Sequence, residues 1–447
     1  MTERRKFTFF IGFVIVFWLF ATMLFNSLQY RGGVVISFLF LVWFLLTRSY
    51  DYRFLVLLSG LPFQAITKLS ADTPSIAVVL YLLFIIAQLS DNRFIVSSMI
   101  AIPSFILFLL QINGLVQYNL SVMSIISGFL SIFFSVAAMI AFKKVDNKYE
   151  LYQKCTWTFA LVILVDIYST VLFPRLPYYI LNDKQVILDR IGRFCALNGD
   201  PNYYGQLIVV AIALLISNLF LYAKEKRIIL SILCGVLSVV LAINGMRSLS
   251  KGYVVGLAAV LLFVVWFFIM EGKPTRQKPL WFIIFVVLGL VAALVLSDRL
   301  IMPMVASRAE TDLFTGRIDI WKNYIRMFKD HLDVVLFGAG FSNSPNLIRY
   351  YMGNAEAAHN LYIELLGNLG IIGLIMVFYI WAPAFRKWKE LLNNMSSLFF
   401  WGFVVTSMSL SASANDLMYF VFPMVTIVFS TSDYLKSRIE PNSDDDI

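Results

Sequence analysis

Long apolar runs separated by short polar segments dominate the pattern of this sequence. Runs of roughly 18 or more apolar residues are long enough to cross a bilayer as helices. They also lack the continuous polar face that a soluble helix turns to water. We therefore predict an all-α, polytopic helical membrane protein with about 12–14 transmembrane helices, built as a single integral membrane domain over residues 1–447.

Fourteen segments are predicted to be helical. They cover residues 7–29, 33–47, 54–67, 75–89, 94–112, 119–142, 157–174, 203–223, 228–246, 252–270, 279–297, 360–381, 398–413 and 417–434. The third segment is short and contains Pro62, which interrupts a helix by removing a backbone donor. That segment is therefore either a span or a re-entrant or interfacial piece.

The composition excludes an ordinary soluble protein. Apolar residues make up 60% of the chain and charged residues 14%, whereas a soluble chain carries about a quarter charged residues. Cys155, Cys195 and Cys234 are scattered, with no C-x-x-C pair. We expect them to be small buried residues and predict neither a disulfide framework nor a zinc site.

The basic residues predict the orientation of the chain, because Lys and Arg accumulate in short cytoplasmic loops. With the N-terminus inside, most of the 36 Lys and Arg residues fall in inner segments, and both termini are predicted to be cytoplasmic. The long outer segments 175–202 and 298–358 carry further basic residues, since long loops are partly exempt from the rule. A basic cluster on the outer face suits an anionic ligand, and nothing in the charge pattern indicates nucleic acid.

Residues 311–373 contain a polar excursion with both histidines of the protein, His331 and His359. Within it, residues 317–329 predict an amphipathic helix. The apolar positions expected on one face of this helix are Ile318, Trp321, Ile325 and Phe328, and the polar positions opposite are Arg317, Lys322, Asn323, Arg326 and Lys329. A basic helix with a Trp-bearing apolar stripe is typical of the membrane interface, but an ordinary packed loop helix has the same pattern.

His359 lies where the chain is predicted to re-enter the membrane. Gly367, Gly370 and Gly373 follow at intervals of three, which allows a neighbouring helix to approach closely. A neutral imidazole at the outer surface can accept a proton from a hydroxyl group. The alternative is a helix-end histidine that only caps or hydrogen-bonds.

Three arginines, Arg193, Arg247 and Arg317, lie at the outer ends of separate helices. The guanidinium fork binds phosphate, so these side chains could converge on one polyanion, although each alone also fits a surface charge. Asp166 and Glu364 fall inside predicted helices, where an ionisable residue is either functional or part of a structural ion pair. The chain has no outward D-x-D, P-loop, GxGxxG, HExxH or GxSxG pattern, so we predict no metal, nucleotide or other cofactor.

Several motifs resemble the O-antigen ligase and polymerase superfamily. They are TGRIDIW at 315–321, LFGAG at 336–340 and HNLYIELLGNLGIIG at 359–373, together with Asp200-Pro201-Asn202 and Met246-Arg247-Ser248. Taken in chain order, these motifs follow the order of the family and cover residues 190–380, about 40% of the chain. Met246 is a departure, because a serine commonly precedes that arginine in the family.

The resemblance implies transfer of a glycan from undecaprenyl diphosphate to an acceptor sugar hydroxyl, on the outer face of a bacterial inner (plasma) membrane. Donor and acceptor glycans linked to undecaprenyl diphosphate are then the partners, within the lipid bilayer. The reaction is expected to invert the anomeric carbon and to need no metal. The expected site consists of His359 and Arg317 for catalysis, Arg193, Arg247, Arg190 and Lys251 for the diphosphate, and Asn202, Trp321, Asn360 and Glu364 in support.

Two activities of this superfamily fit the chain, and a third activity, of a different class, fits the span count alone. A polymerase extends O-antigen or capsular polysaccharide by lipid-linked repeat units, and we favour it. A ligase transfers the finished glycan to lipid A core or to protein. A flippase for lipid-linked oligosaccharides also has twelve to fourteen helices, but its cations would be expected along a central cavity. A chain-length regulator and a flippase are candidate partners of a polymerase.

Overall fold

The computed structural model describes residues 3–47, 49–68, 75–90, 98–173, 193–198, 200–270, 315–410 and 416–429. These residues form helices, numbered here in chain order. They are α1 Glu3–Leu28, α2 Tyr30–Leu46, α3 Tyr50–Gly60, α4 Ile76–Ser90, α5 Ser98–Tyr118, α6 Val122–Lys143, α7 Lys148–Leu172, α8 Pro201–Lys224, α9 Ile228–Met246, α10 Lys251–Met270, α11 Thr315–Asp330, α12 Leu332–Phe337, α13 Ser344–Leu347, α14 Arg349–Met352, α15 Leu361–Ile380, α16 Ala382–Phe385, α17 Trp388–Asn393, α18 Leu398–Thr406 and α19 Met418–Thr426.

Eight of the described helices are long and apolar enough to cross a membrane, and three shorter segments are also apolar. The surface of α9 shows why these helices suit lipid. Ile229, Ile232 and Val236 are exposed on one side, with Ile229 at 83%, whereas Cys234 and Leu241 are buried. An exposed apolar stripe of this kind is typical of a membrane-facing surface. The predicted class, an all-α polytopic membrane protein, is confirmed.

Several predicted boundaries need correction. The helix predicted at 157–174 begins at Lys148, so Lys154 lies in α7 and not in a loop. The predicted segment 54–67 corresponds to α3, which has eleven residues, and to a single 3-10 turn at Leu61–Phe63 that contains Pro62. Eleven residues rise about 16 Å, roughly half of the hydrocarbon thickness. The span predicted at 279–297 and the outer loop up to residue 314 lie outside the described residues.

The bundle is built around α8. Most of its side chains are buried, and α7, α9, α10 and α18 pack against it. Buried Gln206 donates from Nε2 to Ser407 Oγ at 3.0 Å. This hydrogen bond pairs the amide nitrogen inside the bundle. Because four helices contact α8, their ends are held around its N-terminus at Pro201.

The helix predicted at 317–329 is present as α11, but its buried face differs from the predicted stripe. Ile320, Tyr324 and Met327 are buried in a separate hydrophobic cluster, whereas Ile318 and Ile325 are 40% and 53% exposed. The helix is therefore packed through a face one position away from the predicted one. The exposed isoleucines still leave an apolar strip beside the basic residues, as an interfacial helix requires.

An interruption in α15 explains the glycines of this region. Gly370 has φ 64° and ψ 177°, which is not a helical conformation. The segment Leu336–Gly340 fits into the interruption: the Ala339 and Gly340 backbone N–H groups donate to the Gly367 and Asn368 carbonyls, each at 2.9 Å. In an unbroken helix these carbonyls would accept from residues 371 and 372.

Only glycine fits at this contact. A Cβ atom on Gly370 would lie 2.5 Å from the Gly338 nitrogen, and one on Gly338 would lie 2.4 Å from the Asn368 carbonyl oxygen. The sequence predicted that a neighbouring helix packs against these glycines. This is correct for Gly373, which faces Leu107 and Leu110 of α5. For Gly370 the prediction was wrong, because the partner is a loop segment.

The segment that precedes α15 therefore packs well inside the length of this apolar helix. Gly370 lies nine residues into α15, about 14 Å along its axis, so the Leu336–Gly340 segment reaches that depth. Two further bonds hold the chain there: Phe341 N donates to Gln111 Oε1 of α5 at 2.7 Å, and Ser344 N donates to Asn368 Oδ1 at 2.9 Å. Such non-helical backbone is tolerated in a membrane where its polar groups are paired within the protein.

Candidate functional site

His359 lies just before α15 and is not part of it. Its backbone is left-handed, with φ 48°, and its side chain is half-buried. Asn360 is the N-cap of α15, where its Oδ1 accepts from the Tyr362 and Ile363 backbone N–H groups at 3.0 and 3.3 Å. His359 was predicted at the point where the chain enters this helix, and the helix begins two residues later at Leu361. Asn360 caps the helix, so His359 does not have the capping role that was its alternative.

Two side chains of α11 hold the segment that precedes His359. Trp321 Nε1 donates to the carbonyl oxygen of Ala358 at 2.8 Å, and the Tyr324 hydroxyl donates to that of Glu356 at 3.2 Å. Arg317 lies four residues before Trp321, one turn along the same face of the helix. The predicted supporting residue Trp321 thus attaches the helix that carries Arg317 to the backbone next to His359.

The electrostatics of His359 link it to two distant parts of the sequence. Its pKa is lowered from the ordinary value of 6.5, mainly by burial and then by the positive charge of Arg317. Arg193 lowers this pKa further, while Asp200 and Glu356 act in the opposite direction. These charges act on one imidazole, so the structure brings Arg193, Arg317 and His359 together. The lowered pKa leaves the imidazole neutral at pH 7, in the form that accepts a proton.

Arg193 connects two loops at the end of the bundle where α8 begins. Its Nε donates to the Ser248 carbonyl oxygen at 3.1 Å, and its Nη2 donates to Asn202 Oδ1 at 3.0 Å. The Ser250 hydroxyl also donates to Asn202 Oδ1, at 2.8 Å. Lys251 follows as the first residue of α10. The predicted residues Arg193 and Asn202 therefore belong to one hydrogen-bonded group with Ser250, and Lys251 is the next residue in the chain.

Arg247 lies next to this group. The Phe194 backbone N–H donates to the Arg247 carbonyl at 3.0 Å, and the Arg247 guanidinium carbon lies 4.0 Å from the centroid of the Phe194 ring. Its Nη1 donates to Asn244 Oδ1 at 3.2 Å, and the side chain is exposed. Stacking on an aromatic ring orients the guanidinium while leaving it open to an anion.

Asp166 holds the turn between Arg193 and Asn202. This fully buried carboxylate in α7 accepts from the Leu197 backbone N–H and from Asn198 Nδ2, both at 2.9 Å. Asp200 then caps α8, accepting from the Asn202 and Tyr203 N–H groups at 2.6 and 3.0 Å. Sequence reasoning gave Asp200 no role, although Asp before Pro at a helix start is an N-cap signature.

The two remaining predicted residues differ in their placement. Glu364 is fully buried in the first turn of α15, and its charge acts on Tyr324, so it belongs to the packing between α15 and α11. Arg190 lies outside the described residues. Among the residues that the structure describes, no group of three His, Cys, Asp or Glu side chains could hold a metal ion.

An apolar cavity of about 210 Å³ begins beside the site. Leu361 and Tyr362, which follow His359 and Asn360 directly, are among its lining residues. Phe400 and Phe403 of α18 and Phe422 of α19 line its walls. The Tyr362 hydroxyl donates to the Val404 carbonyl at 2.7 Å, which fixes α15 to α18 at this end. The cavity is suited to an apolar chain next to the charged group.

The fold and this group of residues define a polytopic helical membrane protein with cations and a neutral histidine at one end of the bundle. Residues 236–378, about a third of the chain, match the family model described as O-antigen ligase. This match confirms the predicted resemblance to the O-antigen ligase and polymerase superfamily, and supports glycosyl transfer of that general type. No curated protein and no solved structure matches the chain.

The matched region includes Arg247, Arg317 and His359, and it excludes Arg193 and Asn202. The structure links these two parts through the hydrogen bonds of Arg193 to Ser248 and Asn202.

Proposed function

We propose that the protein is an inverting, metal-independent glycosyltransferase that polymerises undecaprenyl-diphosphate-linked repeat units into O-antigen or capsular polysaccharide. The observation that carries this proposal is the electrostatic coupling of His359 to Arg317 and Arg193. A base next to cations from separate parts of the chain is what transfer from a diphosphate requires. The charge bias of the loops supports a site on the outer face of a bacterial inner membrane, with both termini cytoplasmic.

In this proposal the acceptor hydroxyl oxygen attacks the anomeric carbon of the donor glycan. His359 takes the hydroxyl proton as the new carbon–oxygen bond forms. The bond between the anomeric carbon and the diphosphate oxygen breaks, and undecaprenyl diphosphate leaves with the bonding electrons. Displacement from the opposite side inverts the configuration. The imidazolium then releases its proton to water, which the nearby Arg317 charge favours.

The cations have a separate task in the same step. Negative charge develops on the leaving diphosphate, and fixed positive groups stabilise it more in the transition state than in the bound substrate. Arg193 is held by Asn202 and Ser248, and Arg247 by Phe194 and Asn244. Side chains fixed in advance need little reorganisation when the charge appears. Arg317, Lys251 and Arg190 are assigned to the same diphosphate.

The apolar cavity supports a place for the lipid part of the donor. It begins at Leu361, two residues after His359, so a polyprenyl chain there would leave its diphosphate at the charged group. A ligase that transfers the finished glycan remains the second candidate, because the matching family is described as O-antigen ligase and a ligase uses the same donor.

The test is glycan formation in a deletion strain that is complemented with full-length variants. His359→Ala removes the base, and Arg317→Lys keeps the charge but loses the planar fork. We expect losses of about 10²–10⁴-fold and about 10²–10³-fold, respectively. His331→Ala is the matched control, because His331 is the other histidine of the outer loop and pairs only loosely with Asp333 at 3.9 Å. Membrane levels of each variant are measured alongside.

The gel pattern separates the candidates. A ladder that collapses to a single repeat unit on the normal acceptor supports the polymerase, whereas long chains that stay on the lipid carrier support the ligase. Normal ladders with His359→Ala would reject the proposed site. A loss with His331→Ala of the same size would show that histidine removal acts through the fold.

A further inference from the structure

A charged cleft of about 590 Å³ lies at the end of the bundle opposite the candidate site. It is formed by the first turns of α1, the beginning of α7 and the turn between α8 and α9. Glu150 of α7 lines it, while Asp166 of the same helix holds the turn next to Arg193. The sixteen residues between them rise about 24 Å. The cleft is therefore on the other membrane face, which the charge bias predicts to be cytoplasmic.

The acidic residues of the cleft are already paired with lysine. Lys154 is only 8% exposed, and its Nζ lies 3.1 Å from Glu150, 3.3 Å from Asp51 and 3.7 Å from Glu3. Glu3 also pairs with Lys6 at 2.6 Å. These contacts fix the floor of the cleft, where one buried ammonium group is shared among three carboxylates.

Two arginines supply the positive charge that remains at its rim. Arg227 pairs with Glu225 at 3.1 Å and lies 4.8 Å from the Tyr222 ring centroid, yet 34% of its side chain stays exposed. Arg4 lines the opposite wall and is exposed, and among the described residues no carboxylate forms an ion pair with it. Two guanidinium groups that line one cleft from α1 and from the α8–α9 turn are suited to a phosphate.

The remaining walls are those of a site at a membrane surface. Trp157 Nε1 donates to the Tyr222 hydroxyl at 2.8 Å, joining α7 to α8 at the base of the cleft. Phe7 and Leu230 form its apolar walls. Trp and Tyr are enriched at the level of lipid headgroups. A cleft of about 590 Å³ leaves room for a polar headgroup.

We infer that this cleft binds a phospholipid of the cytoplasmic leaflet, with its phosphodiester between Arg4 and Arg227 and its glycerol end against Phe7 and Leu230. Basic pockets between transmembrane helices on the cytoplasmic side bind lipid headgroups in this way. The bound lipid joins α1 to the α8–α9 turn, since each contributes one arginine. This inference does not rest on the proposed glycosyl transfer.

The test uses native mass spectrometry of the purified full-length protein with phosphatidylglycerol, and with a diacylglycerol that has the same chains but no phosphate. We expect wild type to retain phosphatidylglycerol and not diacylglycerol. Arg4→Ala should weaken retention about tenfold, which corresponds to loss of one charge-assisted hydrogen bond. Arg5→Ala is the matched control, because Arg5 is the exposed neighbour that does not line the cleft.

A second measurement guards against misfolding. Arg227 pairs with Glu225, so Arg227→Ala also disturbs the turn. Arg4 is the decisive position, because no carboxylate among the described residues pairs with it. Phosphatidylglycerol should raise the Tm of wild type and Arg5→Ala, but much less that of Arg4→Ala. Equal retention by wild type and Arg4→Ala would overturn the inference. Retention of diacylglycerol as strong as that of phosphatidylglycerol would also overturn it, and water-soluble glycerophosphate competing at equal concentration would point to a free phosphate site.

Discussion

Replacement of Gly370 by alanine should remove the contact between α15 and the Leu336–Gly340 segment. The backbone of Gly370, at φ 64° and ψ 177°, lies in a region that is essentially restricted to glycine. An added Cβ would also lie 2.5 Å from the Gly338 nitrogen and 2.6 Å from the Leu336 carbonyl oxygen. Both neighbours are backbone atoms, so the substitution cannot be accommodated by rotating a side chain.

The expected loss of stability follows from these two effects. Backbone strain of this kind costs about 1–3 kcal/mol. Displacing the segment breaks the bonds from Ala339 and Gly340, at about 0.5–1.5 kcal/mol each. The total is about 2–6 kcal/mol, a large part of the roughly 5–15 kcal/mol that stabilises a typical fold. We expect a fall in Tm on the order of 2–6 °C for a chain of this length, measured by intrinsic tryptophan fluorescence in detergent.

Gly12→Ala provides the matched control. It is the same substitution in a transmembrane helix, and its Cβ would meet nothing within 4 Å. Its effect should be within about 1 kcal/mol and favourable in sign. Gly338→Ala should resemble Gly370→Ala, and the double variant should lose less than the sum, since the same contact is broken only once. A Gly370→Ala protein as stable as Gly12→Ala, or strictly additive losses, would refute this reasoning.

Two further predictions concern the candidate site. Asp166→Asn keeps the side-chain shape but can no longer accept both hydrogen bonds of the turn. The free energy of unfolding should fall by about 1–3 kcal/mol, and the glycan yield should also fall. Asp319→Asn, at an exposed position, serves as the control. The pH dependence of transfer in isolated membranes should have an acid limb with a midpoint below 6.5, because burial and Arg317 lower the pKa of His359 and the base fails only once the imidazole is protonated.

Each of these predictions has a clear contrary result. An Asp166→Asn protein with unchanged Tm and yield would show that the turn needs only one acceptor. An acid limb at or above pH 6.5 would mean that His359 is not the base, or that its surroundings in the membrane differ from those described.

Hydropathy predicted the membrane helices well because it is a property of each segment alone. The predicted helix 228–246 matches α9, and 360–381 matches α15 to within a residue at each end. Lys154 shows the limit of this reasoning. A lysine within an otherwise apolar stretch suggested a loop, but Glu3, Asp51 and Glu150 neutralise it inside α7. Pairs that distant in the chain cannot be read from local composition.

The candidate site was predictable as a set of residues but not as an arrangement. Motif order indicated His359, Arg317 and Arg193, and residue type suggested their chemistry. Their proximity depends on contacts such as Trp321 to Ala358, which join residues 37 positions apart. Glycine spacing was also ambiguous, because intervals of three are typical of close helix packing and do not reveal which glycine has a positive φ.

The segment within α15 also has a consequence for membrane insertion. Leu336–Gly340 is synthesised before α15, and it supplies the donors for the Gly367 and Asn368 carbonyls. A helix that left the translocon without those donors would expose unpaired carbonyls to lipid, at a cost of several kcal/mol for each group. Until the segment docks, these carbonyls have to accept from residues 371 and 372, as they would in an unbroken helix. Docking therefore exchanges two helical hydrogen bonds for two tertiary ones, so the interruption at Gly370 forms together with the loop contact.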